Sequence, residues 1–180
     1  VLDNEQLKAE IIEIFSKWAT TFLTIMESLA GKERVGHGPL AEIEYWVERS
    51  STLTALYEQL DGPIVKSVHQ VMRSIALVVP DEATTEMVSQ FDYQNVELLR
   101  FYTEAKDNVK FLATLERHFK NLEAAPTFAS AAEGLPSMIN ALRMVWIISR
   151  HYNTDARMVP LMARIAWLVA EKVRMQINPK

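Results

Sequence analysis

Apolar residues recur along most of the chain at alternating steps of three and four positions. The clearest run, near the amino terminus, comprises Ile11, Phe15, Trp18, Phe22, Ile25 and Leu29. This spacing places apolar side chains on one face of an α-helix, whereas strict alternation would indicate a half-buried strand. A convincing alternating run is found almost nowhere, so the pattern predicts an all-α fold with no sheet.

Three proline-containing breaks divide this helical pattern. They are residues 37–39 (His-Gly-Pro), residues 61–63 (Asp-Gly-Pro) and Pro80. Proline suits the first turn of a helix, where a backbone N–H has no partner inside the helix, so each break predicts a new helix. The pattern then continues over 81–123, and an unbroken helix of that length would be roughly 64 Å long. We therefore expect an elongated bundle of long amphipathic helices.

A segment rich in small residues separates the last quarter of the chain from the rest. Residues 124–136 read Ala-Ala-Pro-Thr-Phe-Ala-Ser-Ala-Ala-Glu-Gly-Leu-Pro, and this composition predicts a linker. The linker would join a long-helix bundle over 1–123 to a pair of helices over 137–180 that packs on the same rod. The apolar stripe of the first helix in this pair is predicted to contain Ile139, Leu142 and Trp146.

Composition excludes several classes of function. Nineteen basic and 23 acidic residues do not give the basic excess that is typical of nucleic-acid-binding proteins. The longest runs without a charged residue are nine residues long, about half of what a transmembrane helix needs. We therefore expect no nucleic-acid partner and no membrane partner. Because the chain begins with Val1 and has no signal-peptide pattern, we expect it to be a piece of a longer chain.

The motifs of common catalytic and cofactor sites are also missing from the sequence. Gly31 and Lys32 are followed by Glu33, so they do not form a phosphate-binding loop. The histidines at positions 37, 69, 118 and 151 do not have the spacing of zinc or di-iron motifs. With no cysteine, thiolate–metal sites are excluded as well. We predict no catalytic, cofactor-binding or metal-ligating residue and no small-molecule substrate, and hence a segment that is not an enzyme.

The net charge of −4 hides an asymmetry, because residues 134–180 hold seven basic and two acidic residues. Four of the basic residues stand seven positions apart: Arg143, Arg150, Arg157 and Arg164. This interval keeps side chains on one side of a helix, and a turn near Asn153 would place two arginines on each of two helices. One interpretation is a solvated stripe. The other is a docking surface for an acidic partner helix, in which guanidinium groups make bidentate contacts with carboxylates.

Residues 38–60 resemble a block that opens the N-terminal tail region of dynein heavy chains. The block reads Gly-Pro-Leu-Ala-Glu-Ile-Glu-Tyr-Trp-Val-Glu-Arg and continues to Leu53, Leu56 and Gln59-Leu60. Residues 104–112 (Glu-Ala-Lys-Asp-Asn-Val-Lys-Phe-Leu) and the segment from Val145 to Met158 are similar to later blocks of the same family, in the same order. Residues 48–60 are closer to the ciliary and flagellar branch than to the cytoplasmic one.

The positions that match these blocks are interpreted as helix-packing residues. They are Pro39, Glu42, Tyr45, Trp46, Arg49, Gln59, Asn108, Trp146 and Tyr152. Tyr45 and Arg49 are four positions apart on one helix, and a guanidinium above an exposed ring gains about 0.5–1 kcal/mol. We expect this motif to fix one helix against another.

The resemblance implies a non-catalytic tail segment. In that family the tail holds heavy chains together and carries intermediate and light chains, whereas the ATPase lies elsewhere in the heavy chain. The implied location is the cytoskeleton, in the axoneme of a cilium or flagellum. Two alternatives stay open: a helical scaffold or tethering rod of another family, and a small helical-bundle enzyme or ligand-binding protein.

Overall fold

A computed structural model describes residues 4–32, 34–78 and 81–177, and within these ranges it contains six helices and no strand. The helices are α1 (Glu5–Gly31), α2 (Leu40–Leu60), α3 (Pro63–Val78), α4 (Glu82–Ala124), α5 (Phe128–Ile148) and α6 (Asp155–Ile177). The predicted all-α class is confirmed, and α4 is continuous over 43 residues. The elongation of the bundle stays a prediction. Within the described ranges, none of the helices is both long and apolar enough to pass through a membrane.

The chain divides into two compact units that are each discontinuous in sequence. The first unit comprises Val1–Lys32 and Ser51–Tyr102, and the second comprises Glu33–Ser50 and Thr103–Lys180. Both α2 and α4 supply residues to both units. The predicted grouping into 1–123 and 137–180 stays a prediction.

Aromatic packing forms the core of the first unit. Phe15 and Phe22 of α1 are buried, and their ring centroids lie 4.8 Å and 5.5 Å from that of Phe91 on α4. Met72 of α3 is fully buried in the same unit. Full burial of each such side chain stabilises the fold by about 1.5–3 kcal/mol. The helical stripe that the sequence predicts for α1 therefore faces the core.

The core of the second unit consists of aliphatic and aromatic residues from α4, α5 and α6. Its most buried members are Leu112, Leu115, Phe119, Met138, Val145 and Leu161. The stripe predicted for α5 is wrong at two of its three positions. Leu142 is buried as predicted, but the buried residues before and after it are Met138 and Val145, whereas the predicted Ile139 and Trp146 are exposed. Since α5 is apolar on most sides, periodicity alone does not identify its buried face.

The linker predicted over 124–136 is wrong in extent. Only residues 125–127 connect α4 to α5, because α5 begins at Phe128. Thr127 Oγ1 accepts a hydrogen bond from the Ser130 backbone N–H (3.2 Å), and Ser130 Oγ accepts one from the Thr127 backbone N–H (3.3 Å). This reciprocal cap satisfies two backbone donors that a helix start leaves unpaired. It starts the helix ahead of Pro136, which lies inside α5.

Candidate functional site

A buried polar cluster in the second unit brings together three residues of the family blocks. Trp46 Nε1 donates hydrogen bonds to Tyr152 Oη (2.7 Å) and to Glu42 Oε1 (3.1 Å). Tyr152 Oη donates to the same carboxylate oxygen over 2.5 Å. All three residues are less than 5% exposed. We call this triangle, with the arginines that flank it, the Glu42 cluster.

Two arginines flank the buried Glu42 carboxylate. Arg34 Nε lies 2.6 Å from Glu42 Oε2, and Arg164 Nε lies 3.7 Å from the same oxygen. An unpaired carboxylate at such a depth would cost several kcal/mol, so the flanking cations make its burial tolerable. Arg164 also donates to the Gly36 carbonyl over 2.6 Å, which ties the segment before α2 to α6.

The burial of Tyr152 determines its role in the cluster. Burial, and secondarily the nearby Glu42 charge, raise the pKa of the Tyr152 hydroxyl far above its ordinary value. The hydroxyl therefore remains protonated and continues to donate to Glu42 while it accepts from Trp46. It acts as a neutral bridge between an indole and a carboxylate.

Local backbone geometry directs both halves of the cluster. Glu42 and Trp46 lie one turn apart in the first turns of α2, so their side chains share a face. After α5 ends, Ser149 Oγ accepts hydrogen bonds from the backbone N–H groups of His151 (3.1 Å) and Tyr152 (3.0 Å). These bonds fold the α5–α6 connection into a tight turn and direct Tyr152 inward.

A second polar contact borders the cluster. His151 Nδ1 lies 2.5 Å from Glu104 Oε1 on α4, and the His151 ring meets the Trp46 ring edge-on at 4.8 Å. One turn beyond Glu104, Asn108 is 1% exposed, and its amide group has no hydrogen-bond partner among the described residues. Asn108 is therefore buried without the hydrogen bonds that a buried amide usually makes.

Other residues of the predicted motif occupy varied positions. Tyr45 is half-buried, with the Arg34 and Arg49 guanidinium carbons 4.6 Å and 6.0 Å from its ring centroid. Pro39 is buried just before α2. Two further motif residues, Gln59 and Trp146, are exposed and lie outside the Glu42 cluster. Their assignment as packing residues stays a prediction.

Sequence reasoning did not identify several residues that complete the site. These are Arg34, Glu104, Ser149 and His151, and Arg164 was assigned to a different role. Arg164 meets Glu42 through the tertiary fold, and Arg34 meets it across the non-helical segment before α2, so no helical spacing relates either arginine to Glu42. Glu104 opens the second family block, and Ser149 and His151 stand inside the third, so membership of these blocks was the available signal.

The four arginines at seven-residue intervals do not form one uniform surface. Arg143, Arg150 and Arg157 are exposed, whereas Arg164 is half-buried and bonded to Gly36 and Glu42. The prediction of Arg164 as part of an open surface is therefore wrong, because its guanidinium group is used inside the second unit.

Exposed apolar side chains accompany Arg143 and Arg150. Ile139, Met144 and Ile147 of α5 are 51%, 55% and 71% exposed. Ile139, Arg143 and Ile147 stand at intervals of four on one side of α5, and Arg150 lies in the turn two residues after the helix ends. We call these five residues the α5 outer face. Such a face can bury apolar area against a partner while its arginines pair with carboxylates.

A metal-dependent activity receives no support from the described part of the chain. Within it, no group of three or more His, Asp or Glu side chains is placed to hold a metal ion. The Glu42 cluster is closed to solvent, and its single carboxylate is paired with two guanidinium groups and two neutral hydrogen-bond donors, which is the arrangement of a structural polar core.

Comparison with known proteins identifies the family. Residues 9–180 match the family described as Dynein heavy chain, N-terminal region 1. The chain belongs to this dynein family. The resemblance noted in residues 38–60 is thereby confirmed, and the alternative of a tethering rod from another family is wrong. The matched N-terminal region is an all-helical part of a dynein heavy chain and not its ATPase motor domain.

Relatives of this dynein segment come from cilia and flagella. It is 47% identical over 161 residues to Dynein axonemal heavy chain 10 of Homo sapiens, covering 89% of this chain and 3% of that protein. It is 42% identical over 175 residues to Dynein-1-alpha heavy chain, flagellar inner arm I1 complex, of Chlamydomonas reinhardtii, covering 97% and 4%. Identity to human Dynein axonemal heavy chain 8 is 30% over 156 residues, covering 87% and 3%. The chain thus spans a few per cent of the length of these relatives.

Proposed function

We propose that this segment is a structural element of an axonemal dynein heavy-chain tail, in the axoneme of a cilium or flagellum. In this role it contributes to the association of heavy chains and to the docking of intermediate and light chains. The observation that carries the proposal is the α5 outer face, where three large apolar side chains and two arginines are exposed together.

The composition of this face favours a protein partner. Exposed apolar side chains at helical spacing cost solvation free energy unless another surface covers them. Arg143 stands between Ile139 and Ile147 on the same stripe, so a partner that covers the apolar residues also meets the guanidinium group. Carboxylates are the groups that guanidinium pairs with in bidentate fashion. The occupant that fits is an acidic amphipathic helix of another dynein subunit.

The Glu42 cluster supports this role because it holds helices of the second unit in place. It fixes α2 against the α5–α6 connection through Trp46 and Tyr152, and it holds α6 through Arg164. Because these contacts hold α5 and α6 in place, the α5 outer face has one conformation, which lowers the entropic cost of binding a partner. The cluster therefore has a positioning role, and the outer face has the binding role.

Charge reversal in the assembled motor tests the proposal. The heavy chain carrying Arg143→Glu and Arg150→Glu is purified from ciliated cells, and its co-purifying subunits are quantified by mass spectrometry. We expect at least one intermediate chain, light chain or second heavy chain to fall several-fold relative to the variant heavy chain. The matched control is Lys110→Glu with Arg117→Glu on α4, which are exposed and also seven positions apart. Unchanged recovery in moderate salt, or an equal loss in the control, would contradict the proposal.

A further inference from the structure

A long open groove runs between α1 and α4 in the first unit. Its larger part has a volume of about 690 Å³ and is lined by Ala19 and Leu23 of α1 and by Met87 and Tyr93 of α4. A second part of about 230 Å³ shares Leu23 and Tyr93 and extends along α4 to Phe101. From Ala83 to Phe101 the groove follows α4 for roughly 27 Å at 1.5 Å per residue.

Small side chains keep this groove open. Ser16, Ala19 and Thr20 lie on the α1 wall, and Ala83 lies at the start of the α4 wall. Two helices with small residues along their shared edge leave a channel into which the ridge of a third helix fits. Tyr93 is 63% exposed over this channel, so an aromatic surface is available to an incoming apolar stripe.

The charged side chains among the described residues that line the groove are all acidic. They are Glu27 on α1 and Glu86 and Glu97 on α4. Glu97 is paired with Arg100, whose Nη2 lies 2.6 Å from Glu97 Oε2, and Glu86 accepts a hydrogen bond from Gln90 over 2.8 Å. The groove is thus apolar at its base, and Glu27 and Glu86 make its rim negative, whereas the α5 outer face is positive.

We infer that this groove binds an amphipathic helix whose apolar stripe is flanked by Lys or Arg and which belongs to another chain of the dynein assembly. The inference rests on the proposed function, because it treats the segment as an assembly element. It concerns a separate surface with its own partner chemistry. The apolar stripe covers Leu23, Met87 and Tyr93, while the basic flanks meet Glu27 and Glu86, and such complementarity favours this partner over an acidic one.

Site-specific photocrosslinking in the assembled motor tests the inference. Tyr93 of the heavy chain is replaced by p-benzoylphenylalanine, which keeps an aromatic ring over the groove, and the complex is irradiated after purification from cilia. We expect a crosslink to a helical segment of another chain with Lys or Arg within one turn of the crosslinked residue. In the same chain, Glu27→Lys with Glu86→Lys should lower the crosslink yield at least fivefold. Glu10→Lys with Glu58→Lys, an exposed pair outside the groove, should leave the yield unchanged.

Any other result of the crosslinking experiment contradicts the inference. It falls if the crosslink forms to an acidic segment, to the same heavy chain, or not at all, or if both charge-reversed pairs behave alike. The readout is independent of the proposed function, which is measured by subunit recovery with Arg143→Glu and Arg150→Glu. If Tyr93 forms the expected crosslink but subunit recovery with Arg143→Glu and Arg150→Glu is unchanged, only the proposal for the α5 outer face is contradicted. If subunit recovery falls with that variant but Tyr93 forms no crosslink, only the inference about the groove is contradicted.

Discussion

The hydroxyl of Tyr152 is both a donor and an acceptor inside the Glu42 cluster. Tyr152→Phe removes it and leaves the Trp46 N–H and the Glu42 carboxylate with one partner fewer, in a site closed to water. We expect the free energy of unfolding of the 180-residue chain to fall by about 1–3 kcal/mol, measured by urea denaturation. Tyr93→Phe, at an exposed position, should change it by less than about 0.5 kcal/mol. Equal effects of the two substitutions would contradict the role of the bridge.

Tyr152 also makes the chain less stable as the pH becomes strongly alkaline. Its pKa in the folded chain is raised above the ordinary tyrosine value of about 10 by burial and by Glu42. The folded state therefore holds this proton more tightly than the unfolded state does. The resulting stability is complete below about pH 10 and is lost as the pH rises further.

Tyrosinate absorbance measures this effect directly. The chain has five tyrosines, and Tyr152 should not ionise until the chain unfolds. The wild type and Tyr152→Phe should therefore give the same absorbance change up to the unfolding pH, and only beyond it should the wild type gain more. A smaller change for the variant within the folded range would show that Tyr152 ionises normally.

Local spacing made part of the site predictable from sequence. Glu42, Trp46 and Arg49 lie on adjacent turns of one helix, so their proximity follows from helix geometry. Arg164 on α6 is far from Glu42 in the sequence. Arg34 is only eight positions before Glu42 but lies ahead of the break that precedes α2, so no helical spacing indicates that both arginines pair with one carboxylate. Tyr152 was identified through the family block alone.

At the scale of elements, α5 depends on its cap. Thr127→Ala removes the side-chain acceptor for the Ser130 N–H and half of the reciprocal pair. We expect a loss of about 1 kcal/mol in the free energy of unfolding, measured by chemical denaturation. Ser89→Ala, an exposed mid-helix site on α4, removes a hydroxyl without removing a cap and should cost nothing. If the two variants have equal stability, the cap does not stabilise α5.

Helix boundaries were predictable where proline stands at a helix start. Pro39 directly precedes α2 and Pro63 opens α3, as the breaks indicated. Pro136 misled the prediction because the Thr127 cap begins α5 eight residues earlier than the linker was expected to end. A proline inside a helix loses one backbone hydrogen bond, and tertiary packing of Met138 and Leu142 offsets that loss.

At the scale of the whole molecule, two residues of α5 that stand two positions apart allow the effects on folding and on assembly to be separated. Ile147 is 71% exposed and Val145 is 1% exposed. Ile147→Asp should leave the thermal unfolding temperature of the chain unchanged and lower the recovery of partner subunits several-fold, because it places a carboxylate on the α5 outer face. Val145→Asp should unfold the second unit, because an unpaired charge in a core costs several kcal/mol. Circular dichroism and quantitative subunit recovery measure the two effects, and normal recovery with Ile147→Asp would contradict the role of the face.

The division into two units was not predictable, because each unit takes residues from separate parts of the chain. Periodicity reports which face of a helix is apolar, but it does not report which distant helix covers that face. The long helix α4 illustrates this point, since its continuous pattern gives no sign that the chain changes unit after Tyr102. The helices themselves were therefore predictable, and their grouping was not.

The Glu42 cluster has a consequence for biosynthesis. Glu42 and Tyr152 are 110 positions apart, and a ribosome adding about 5–20 residues per second needs roughly 5–20 s to cover that distance. During this interval Trp46 lacks its partners His151 and Tyr152, while α3 and the first half of α4 are synthesised. The first unit can thus mature before the second has been fully translated. The speed of translation between these two positions therefore sets how long the apolar side of α2 stays exposed in the nascent chain.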